Sequence, residues 1–438
     1  MAKGTPRGGF KLGLIGCGVR GVAHLLALQG ARGVQVAAVA DLYDGHLQRA
    51  REITASSFTA PDQLLATRDY RQVLARQDLD AIILAVPDFW QQRIFTAAMA
   101  AGQAVYCEAP FGYTAAAGEA MLAAAQKSKA VVQVGSGVTS SKACQRARDL
   151  VASGRLGTIY MVDAVRNVGT SLGSWRTPYP PDASPATIDW DTFQSAAAHP
   201  QPFALPRFFR WRCYADYGAG VASDALIDSV TALQWILKCP VPTRVSASGG
   251  NYRWHDGRET PDIFHARLAF PHFEVQLRCA MTTSQGGHKL SFYGSTATMV
   301  LEDTRGNGFD TVQVLPETEA EPYVTTVAAW PAAPRQWFYM EHGLDASGNP
   351  SRQPPATEAG EAWSVDEAGP SAPGQNAYSD TLVGRHLASF LAALRGRGTV
   401  AETAQLGQES ARLAHLADDA YRQAQSPGGH AQAGSAAH

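Results

Sequence analysis

Apolar runs of strand length alternate with helical patterns over residues 10–150. The strand segments are continuously apolar, whereas the helical segments carry apolar residues at helical spacing. Strands that alternate with helices predict a parallel sheet covered on both faces, because the helical crossovers pack on it. The predicted strands are 10–16, 34–41, 80–87, 104–110 and 130–136. The predicted helices are 22–29, 45–53, 91–102 and 114–128.

The pattern changes after about residue 155, where strand-like runs follow one another with few helices between them. Strands in series predict a mostly antiparallel sheet. Apolar spacing predicts one helix within this half, 222–237, and two more after it, 384–397 and 404–424. The predicted strands are 158–168, 243–254, 264–270, 273–283, 289–296 and 311–316.

Composition divides the chain further. Residues 346–378 are rich in Gly, Pro, Ser and Glu and predict a flexible loop or insertion, and the tail is predicted to be disordered. The helices before the tail are expected to pack back on the body of the protein. The predicted segments are 1–150, 151–345, 346–378, 379–425 and 426–438.

The chain has 438 residues, of which 45% are hydrophobic and 17% charged, with a formal net charge of -2. This balance gives no reason to expect nucleic acid or an anionic membrane as a partner. The start, MAKGTPRGG, leads into a glycine-punctuated strand, and no run approaches the ~20 apolar residues of a membrane span. We therefore expect a cytoplasmic protein. The six cysteines never fall in a CxxC spacing, which predicts reduced core residues and no metal site.

The segment GCGVRG (16–21) follows a predicted strand and opens a helix. In such a GxGxxG turn, Gly16 permits the tight bend and Gly18 lets the backbone approach a pyrophosphate. The next strand ends in Asp41, which would accept hydrogen bonds from ribose hydroxyls and repel a 2′-phosphate, and Leu42 offers no positive charge against that repulsion. The pattern predicts an N-terminal Rossmann domain that binds NAD, with NADP less favoured. An ordinary turn without a nucleotide is the alternative.

Several motifs occur in order: GLIGCGVRG (13–21), VAD (39–41), AVPDFW (85–90), AVYCEAP (104–110) and YGAGVASDALIDSVTALQWIL (217–237). Together they resemble the Gfo/Idh/MocA family of glucose-fructose oxidoreductase and inositol dehydrogenase. The resemblance implies an NAD- or NADP-binding Rossmann domain, then an α/β domain whose large, mostly antiparallel open sheet often joins copies into a dimer or tetramer. It also implies hydride transfer at a sugar or cyclitol carbon, although a few members use NAD transiently to cleave glycosides without net redox change.

The first departure from the family is at Ala109, where most members have the lysine of Glu-Lys-Pro. That lysine holds cofactor and substrate and supports proton transfer, which a methyl group cannot do. In AVPDFW, Pro87 and Trp90 are expected near the cofactor, and a structural aromatic is the equal alternative for Trp90. The residues assigned to the cofactor are Gly16, Cys17, Gly18, Val19, Arg20, Asp41, Leu42, Pro87, Trp90, Glu108 and Ala109.

The second departure is in the helix 222–237, where the family pattern Asp-x-Gly-x-His-x-x-Asp reads Asp224, Leu226, Asp228 and Thr231. Asp228 replaces the histidine that is the family's usual acid/base candidate. Acids four residues apart lie on one helical face, where their repulsion would favour proton uptake by one of them. We predict Asp228, assisted by Asp224, as the proton acceptor. The alternative is a polar residue without a catalytic role.

The predicted substrate-binding residues are Arg166, Arg212, Asp224 and Asp228. Arg166 and its neighbour Asn167 end the first strand of the second domain and either reach substrate hydroxyls or form the domain interface. Arg212 belongs to a run, Arg210-Trp211-Arg212, that either binds a sugar or makes a loop or oligomer contact. Further proton-transfer candidates without a motif are Tyr106, Tyr113, His265 and His288, of which His265 is expected to be a core histidine.

The sequence therefore predicts an NAD-dependent oxidoreductase that acts on a sugar or polyol with a non-standard proton acceptor. Two alternatives stay open because the lysine and the histidine are both absent. The chain is otherwise a catalytically impaired NAD-binding homologue that acts as a structural or regulatory partner, or a redox-neutral enzyme that uses NAD to cleave glycosides.

Overall fold

The computed structural model describes residues 9–29, 31, 33–57, 63–169, 174–306, 308–317, 324–347, 361–364 and 381–425. Two sheets organise this part of the chain, one with six strands and one with eight. The strands of the first sheet are β1 (Phe10–Ile15), β2 (Val34–Ala40), β3 (Leu65–Thr67), β4 (Ala81–Leu84), β5 (Ala104–Cys107) and β6 (Val132–Val134).

The first sheet is parallel throughout, in the order β3-β2-β1-β4-β5-β6. This is the Rossmann order, and the parallel sheet predicted from the sequence is confirmed. Strands β4 and β5 are buried along their whole length, as expected of strands covered on both faces. The strand order reverses between β1 and β4, so their carboxyl ends border the crevice in which such sheets bind ligands.

The helices of this domain begin and end close to the predicted bounds. Helix α1 starts at Val19, so the glycine turn leads directly into it. Helix α5 starts after Thr114, whose hydroxyl accepts a hydrogen bond from the Ala117 N–H, and ends at Lys129 in the left-handed conformation. The helices are α1 (Val19–Leu28), α2 (Asp44–Ser57), α3 (Tyr70–Leu74), α4 (Asp88–Ala100) and α5 (Ala115–Ser128).

The second sheet contains β7 (Ile159–Asn167), β8 (Arg244–Gly250), β9 (Ile263–Ala269), β10 (Glu274–Ala280), β11 (His288–Gly294), β12 (Ala297–Asp303), β13 (Thr311–Pro316) and β14 (Glu361–Ser364). Its order is β14-β13-β12-β11-β7-β10-β9-β8, and every pair except β7 with β10 is antiparallel. Buried and exposed positions alternate along the strands, so one face packs on a core and the other faces outward. The predicted mostly antiparallel sheet is confirmed.

The remaining α-helices follow β6 along the chain. They are α6 (Lys142–Ala152), α7 (Trp190–Gln194), α8 (Leu205–Phe209), α9 (Val221–Asp224), α10 (Ile227–Leu237), α11 (Val324–Ala328), α12 (Ala332–Glu341), α13 (Leu382–Leu394) and α14 (Ala404–Gln425). Helix α13 packs on α1, whereas α14 contacts α5 in the first domain and α9, α10 and β8 in the second. The C-terminal helices therefore hold the two domains together.

The prediction of one continuous helix over 222–237 is wrong, because the chain forms α9 and then α10 with a break at Ala225 and Leu226. The carboxylate of Asp418, on α14, accepts hydrogen bonds from the Ala222 and Ser223 N–H groups and so caps α9 from outside. This contact comes from a distant helix, so periodicity within 222–237 does not reveal it.

Part of the predicted insertion is ordered sheet. Within 346–378, residues 361–364 form β14 against β13, and the remaining residues from 348 onward lie outside the described residues, as does the tail 426–438. The six cysteines are free and buried, as the sequence predicts. Within the described ranges, no helix combines the length and the apolar character that a membrane crossing requires.

Candidate functional site

Two glycines of the turn between β1 and α1 are required by the protein's own packing. Gly16 has a φ of +92°, and a Cβ there would lie 2.2 Å from the carbonyl oxygen of Ala85. A Cβ at Gly21 would lie 2.1 Å from the carbonyl oxygen of Gly16. Because backbone atoms fill both spaces, no side chain fits at either position. These glycines shape the turn whether or not a ligand binds.

Gly18 has a different reason to lack a side chain. A Cβ there would meet only Cε1 of His46, at an ordinary contact distance of 3.7 Å, among the described atoms within 4 Å. Its φ of -67° suits any residue, and the neighbouring Val19 is 85% exposed. The space at the N-terminus of α1 is therefore open. Unpaired N–H groups at a helix N-terminus favour a phosphate, so a pyrophosphate fits this position.

Asp41 follows β2, and its carboxylate is held from three sides. Its Oδ2 accepts a hydrogen bond from the Cys17 N–H at 2.7 Å, and its Oδ1 accepts one from the Tyr43 N–H at 2.9 Å and lies 3.1 Å from Nδ1 of His46. Burial alone would raise the pKa of Asp41, but His46 and the two N–H groups lower it below its ordinary value. Asp41 is a fixed, ionised acceptor beside the glycine turn. No motif in the sequence marks His46.

Arg20 and Glu108, both predicted to bind the cofactor, contact each other. The Arg20 Nε–H donates to Glu108 at 2.8 Å, and Nε2 of the fully buried His24 lies 2.6 Å from the other carboxylate oxygen. Burial would raise the pKa of Glu108, but Arg20 and His24 lower it to about 2. The ion pair ties the end of β5 to α1 and so supports the glycine turn.

Ala109 is half-buried and packs against the cores of both domains. The turn around it is held by Gln91, whose amide donates to the Glu108 carbonyl at 2.7 Å and whose Oε1 accepts from the Gly112 N–H at 2.6 Å. The turn is therefore fixed without a lysine. Because a methyl group carries neither charge nor an exchangeable proton, any group that moves a proton must come from elsewhere.

The two acids predicted as catalytic each face an arginine. Arg166, near the end of β7, lies 3.6 Å from Asp228, and both side chains are 28% exposed. The Arg212 Nε–H donates a short hydrogen bond to Asp224. The acids belong to different helices and to separate ion pairs, so the prediction that they share one helical face is wrong.

His288 contacts Arg166. Nη1 of Arg166 lies 3.3 Å from Nδ1 of His288, and the hydroxyl of Ser229 lies 2.8 Å from Nε2. Nδ1 also lies 3.8 Å from Oδ2 of Asp303, so this nitrogen faces both a guanidinium and a carboxylate. Burial lowers the pKa of His288, which favours the neutral form. His288 thus contacts Arg166 through Nδ1 and Ser229 through Nε2.

Two further acids are buried near the carboxyl edge of the first sheet. Asp88 is 3% exposed and accepts a hydrogen bond from the Ala219 N–H at 2.9 Å. Burial, reinforced by Asp224, raises the pKa of Asp88 to about 7. Glu402 is fully buried and accepts from the Ser136 hydroxyl, and burial raises its pKa to about 8. Asp88 lies inside the motif AVPDFW, so the sequence indicates its position near Pro87 and Trp90. No sequence motif includes Glu402.

Two residues predicted near the cofactor contact the segment that precedes α9. Trp90 is 4% exposed, and its indole N–H donates to the Phe193 carbonyl at 3.1 Å. The carbonyl of Leu42 accepts from the Asp189 N–H at 2.9 Å. Pro87 immediately precedes α4, at the crevice. The contacts of Trp90 favour its structural interpretation.

The remaining candidates have partners within the protein. Tyr106 is buried in the core of the first domain, and the Tyr113 hydroxyl donates to the Ala215 carbonyl. The guanidinium of Arg210 lies 4.4 Å from the ring centroid of Tyr179, and Asn167 donates to the Gln285 carbonyl. The prediction that His265 lies in a core is wrong, because it is exposed on the outward face of β9. Among the described residues, no three His, Cys, Asp or Glu side chains are arranged to hold a metal ion.

The chain is similar to known proteins in both domains. Residues 10–136 match the GFO_IDH_MocA oxidoreductase family with an NAD-binding Rossmann fold, and residues 189–300 match the GFO/IDH/MocA C-terminal domain. Inositol 2-dehydrogenase of Salmonella typhimurium is 29% identical over 171 residues, 39% of this chain and 49% of that protein. An alpha-N-acetylgalactosaminidase of Shewanella oneidensis is 22% identical over 178 residues, 38% of this chain and 39% of that protein. The chain thus matches about half the length of the first relative and less of the second.

Solved structures share the fold over nearly the whole chain. The WlbA dehydrogenase from Bordetella pertussis, in complex with NADH and UDP-GlcNAcA, has a TM-score of 0.62 at 16% identity and covers 95% of this chain and 97% of that chain. Levoglucosan dehydrogenase, in complex with NADH and levoglucosan, has a TM-score of 0.63 at 16% identity and covers 95% of this chain and 98% of that chain. These likenesses establish a common arrangement of the two sheets.

Proposed function

Because this chain belongs to the GFO/IDH/MocA oxidoreductase family, whose N-terminal domain is an NAD-binding Rossmann fold, we propose that it moves a hydride between NAD and a sugar or cyclitol carbon. The observation that carries the proposal is the open position at Gly18 beside the ionised Asp41. The glycine turn would hold the pyrophosphate and Asp41 the ribose hydroxyls. When bound, the nicotinamide supplies the hydride chemistry, and the protein supplies position and a proton acceptor.

Proton transfer falls to a carboxylate in this proposal. Arg166 and Arg212 are permanently protonated and only donate, so they bind hydroxyl oxygens but cannot take a proton. Oxidation of a carbinol removes a hydride from carbon and a proton from its oxygen, and we assign that proton to Asp228. Its partial exposure supports the assignment, because a substrate hydroxyl needs access to the carboxylate. Asp224, held by Arg212, would bind a second hydroxyl.

A sugar or cyclitol substrate is supported by the relatives. Inositol 2-dehydrogenase acts on a cyclitol, and levoglucosan dehydrogenase was solved with levoglucosan, a sugar derivative. The cleft of this chain presents arginine and carboxylate pairs, which suit a ligand with several hydroxyl groups.

Redox-neutral glycoside cleavage is the second candidate. The similarity to an alpha-N-acetylgalactosaminidase favours it, as does the buried acid Asp88, whose raised pKa suits proton donation at neutral pH. In this case NAD would be required but no reduced cofactor would accumulate. Release of a free sugar from a glycoside therefore separates the two candidates.

The test is turnover by the purified chain with NAD and a panel of sugars, cyclitols and aryl glycosides, followed by absorbance of the reduced cofactor and by release of the aryl group. Asp228→Asn should lower kcat about 10²- to 10⁴-fold and leave NAD affinity unchanged, because general base help is lost. Asp149→Asn, at an exposed position on α6, is the control. NAD binding without turnover of any substrate would instead favour a non-catalytic partner role, and an Asp228→Asn variant at the wild-type rate would remove Asp228 as the acceptor.

We also propose a homodimer or homotetramer in the cytoplasm. The outward face of the second sheet carries half-exposed apolar side chains such as Met161 and Val165, which flank the core residues Val162 and Ala164 along β7. A second copy packed on this face would bury them. Six free, buried cysteines fit a reducing compartment. Light scattering of the purified chain measures its mass in solution. A monomer would contradict the proposed homodimer or homotetramer.

A further inference from the structure

The carboxylate of Asp41 is nearly saturated before any ligand binds. A carboxylate oxygen has two lone pairs, and Oδ1 already accepts from the Tyr43 N–H and contacts His46 Nδ1. Oδ2 accepts from the Cys17 N–H and has one lone pair left. A ribose diol that donates two hydrogen bonds needs two free positions. His46 therefore competes with one ribose hydroxyl for Asp41.

Neighbouring rings hold His46 at this corner. Its imidazole packs edge-to-face on Tyr43, with centroids 5.0 Å apart, and on Phe209 of the second domain, with centroids 6.1 Å apart. Its Cε1 lies 3.7 Å from the Cβ position of Gly18, and its side chain is 29% exposed. The imidazole thus forms one wall of the space between the glycine turn and Asp41, which the proposed function assigns to the adenosine half of the dinucleotide.

The other charged side chains near His46 have hydrogen-bond partners of their own. Asp44 accepts from two nitrogens of Arg68 at 2.8 and 2.6 Å. Asp182 accepts from the Tyr43 hydroxyl at 2.5 Å. Asp41 is therefore the charge that acts directly on His46.

The protonation of His46 depends on that charge. Burial lowers the pKa of His46, but Asp41 outweighs this effect and raises it above its ordinary value. The nearby thiol of Cys17 stays neutral, because burial raises its pKa well above the ordinary range. The corner therefore carries one negative charge when the imidazole is neutral and no net charge when it is protonated.

We propose that His46 sets the choice at this corner between a ribose with a free 2′-hydroxyl and one with a 2′-phosphate, and that protonation of its imidazole shifts the choice toward the phosphate. The inference rests on the proposed dinucleotide site. A neutral imidazole leaves the charge of Asp41 to repel a phosphate. An imidazolium cancels that charge and presents a charged donor to the phosphate oxygens. The preference for NAD over NADP should hold at high pH and weaken as the pH falls.

The test is calorimetric titration of the full chain with NAD and with NADP at about pH 6 and about pH 8.5, where an imidazole changes charge. The ratio of the two Kd values, NADP over NAD, should fall about tenfold from the higher to the lower pH. The 2′-phosphate itself titrates near pH ~6, so His46→Ala should keep only that smaller change. His199→Ala is the matched control, because His199 also lies 2.9 Å from an aspartate, Asp216, but is 77% exposed.

The outcomes separate the inference from the proposed function. Equal pH dependence in wild type and His46→Ala, with both dinucleotides bound, overturns the role of His46 alone. Binding of neither dinucleotide by the wild-type chain overturns the dinucleotide site and this inference with it. His46→Gln, which keeps a neutral donor of similar size, should behave as His46→Ala and covers the case in which alanine disturbs the packing of Tyr43 and Phe209.

Discussion

Replacing Glu402 by glutamine should remove a pH-dependent loss of stability. Glu402 is fully buried, and burial raises its pKa from the usual 4.5 to about 8. The folded chain holds this proton more tightly than the unfolded chain does. The resulting stabilisation is complete below about pH 4.5 and is lost as the pH rises through about 8. At about 1.4 kcal/mol per pH unit, the loss between about pH 5.5 and about pH 8 is on the order of 3 kcal/mol.

Urea unfolding at about pH 5.5 and about pH 8.5 measures this effect. Glutamine keeps the size of Glu402 and an acceptor for the Ser136 hydroxyl but does not ionise. The stability of the variant relative to wild type should therefore be roughly 3 kcal/mol greater at the higher pH than at the lower one. Glu119→Gln, at an exposed position on α5, is the control. Asp88 and Asp418, with pKa values raised to about 7 and about 6, also make the free energy of unfolding fall as the pH rises. Both variants retain this part of the pH dependence. An equal difference between Glu402→Gln and wild type at the two pH values would refute the assignment of a buried, protonated acid.

Two further predictions concern the glycine turn and its support. Gly18→Ala should fold with unchanged thermal stability, since its Cβ meets only His46, yet bind NAD at least about tenfold more weakly in calorimetry because the methyl group occupies the pyrophosphate position. Gly21→Ala should instead lower thermal stability, because its Cβ would meet backbone. Normal NAD affinity in Gly18→Ala would contradict the assignment of the pyrophosphate to this turn. Glu108→Gln should lower the free energy of unfolding by about 2–3 kcal/mol at pH ~7, as measured in urea. Because the pKa of Glu108 is lowered to about 2, this difference should shrink as the pH falls from ~4.5 toward ~2, and a constant difference would contradict it.

The sequence predicts those parts of the fold in which local pattern and tertiary packing agree. The buried strands β1, β2, β4 and β5 are continuous apolar runs between turn residues, so their bounds are nearly correct. The sequence analysis does not predict β3 and β14, with 3 and 4 residues, because neither lies in a continuous apolar run.

In the candidate site, too, local sequence predicts some features and not others. Spacing alone brings Gly16, Gly18 and Asp41 to one edge of the sheet, since the Rossmann order fixes where their strands end. The contacts of the acids come from other segments: Arg212, in the segment after α8, approaches Asp224, and Ser136 meets Glu402 across 266 residues. Contacts of this kind depend on packing between elements and leave no trace in local periodicity.

Ala109 supplies neither a charge nor an exchangeable proton, which bears on the proposed proton transfer. Lysine and histidine accept a proton only when neutral, which their ordinary pKa values of about 10.4 and about 6.5 restrict to higher pH unless the site shifts them. The cationic groups near Asp224 and Asp228 are guanidiniums, which bind hydroxyls and stay charged at any physiological pH. A carboxylate acceptor, in contrast, is ready in its ionised form at neutral pH and below. Ala109 and Asp228 therefore both fit the proposed mechanism, in which the arginines would bind hydroxyls and an acid would accept the proton.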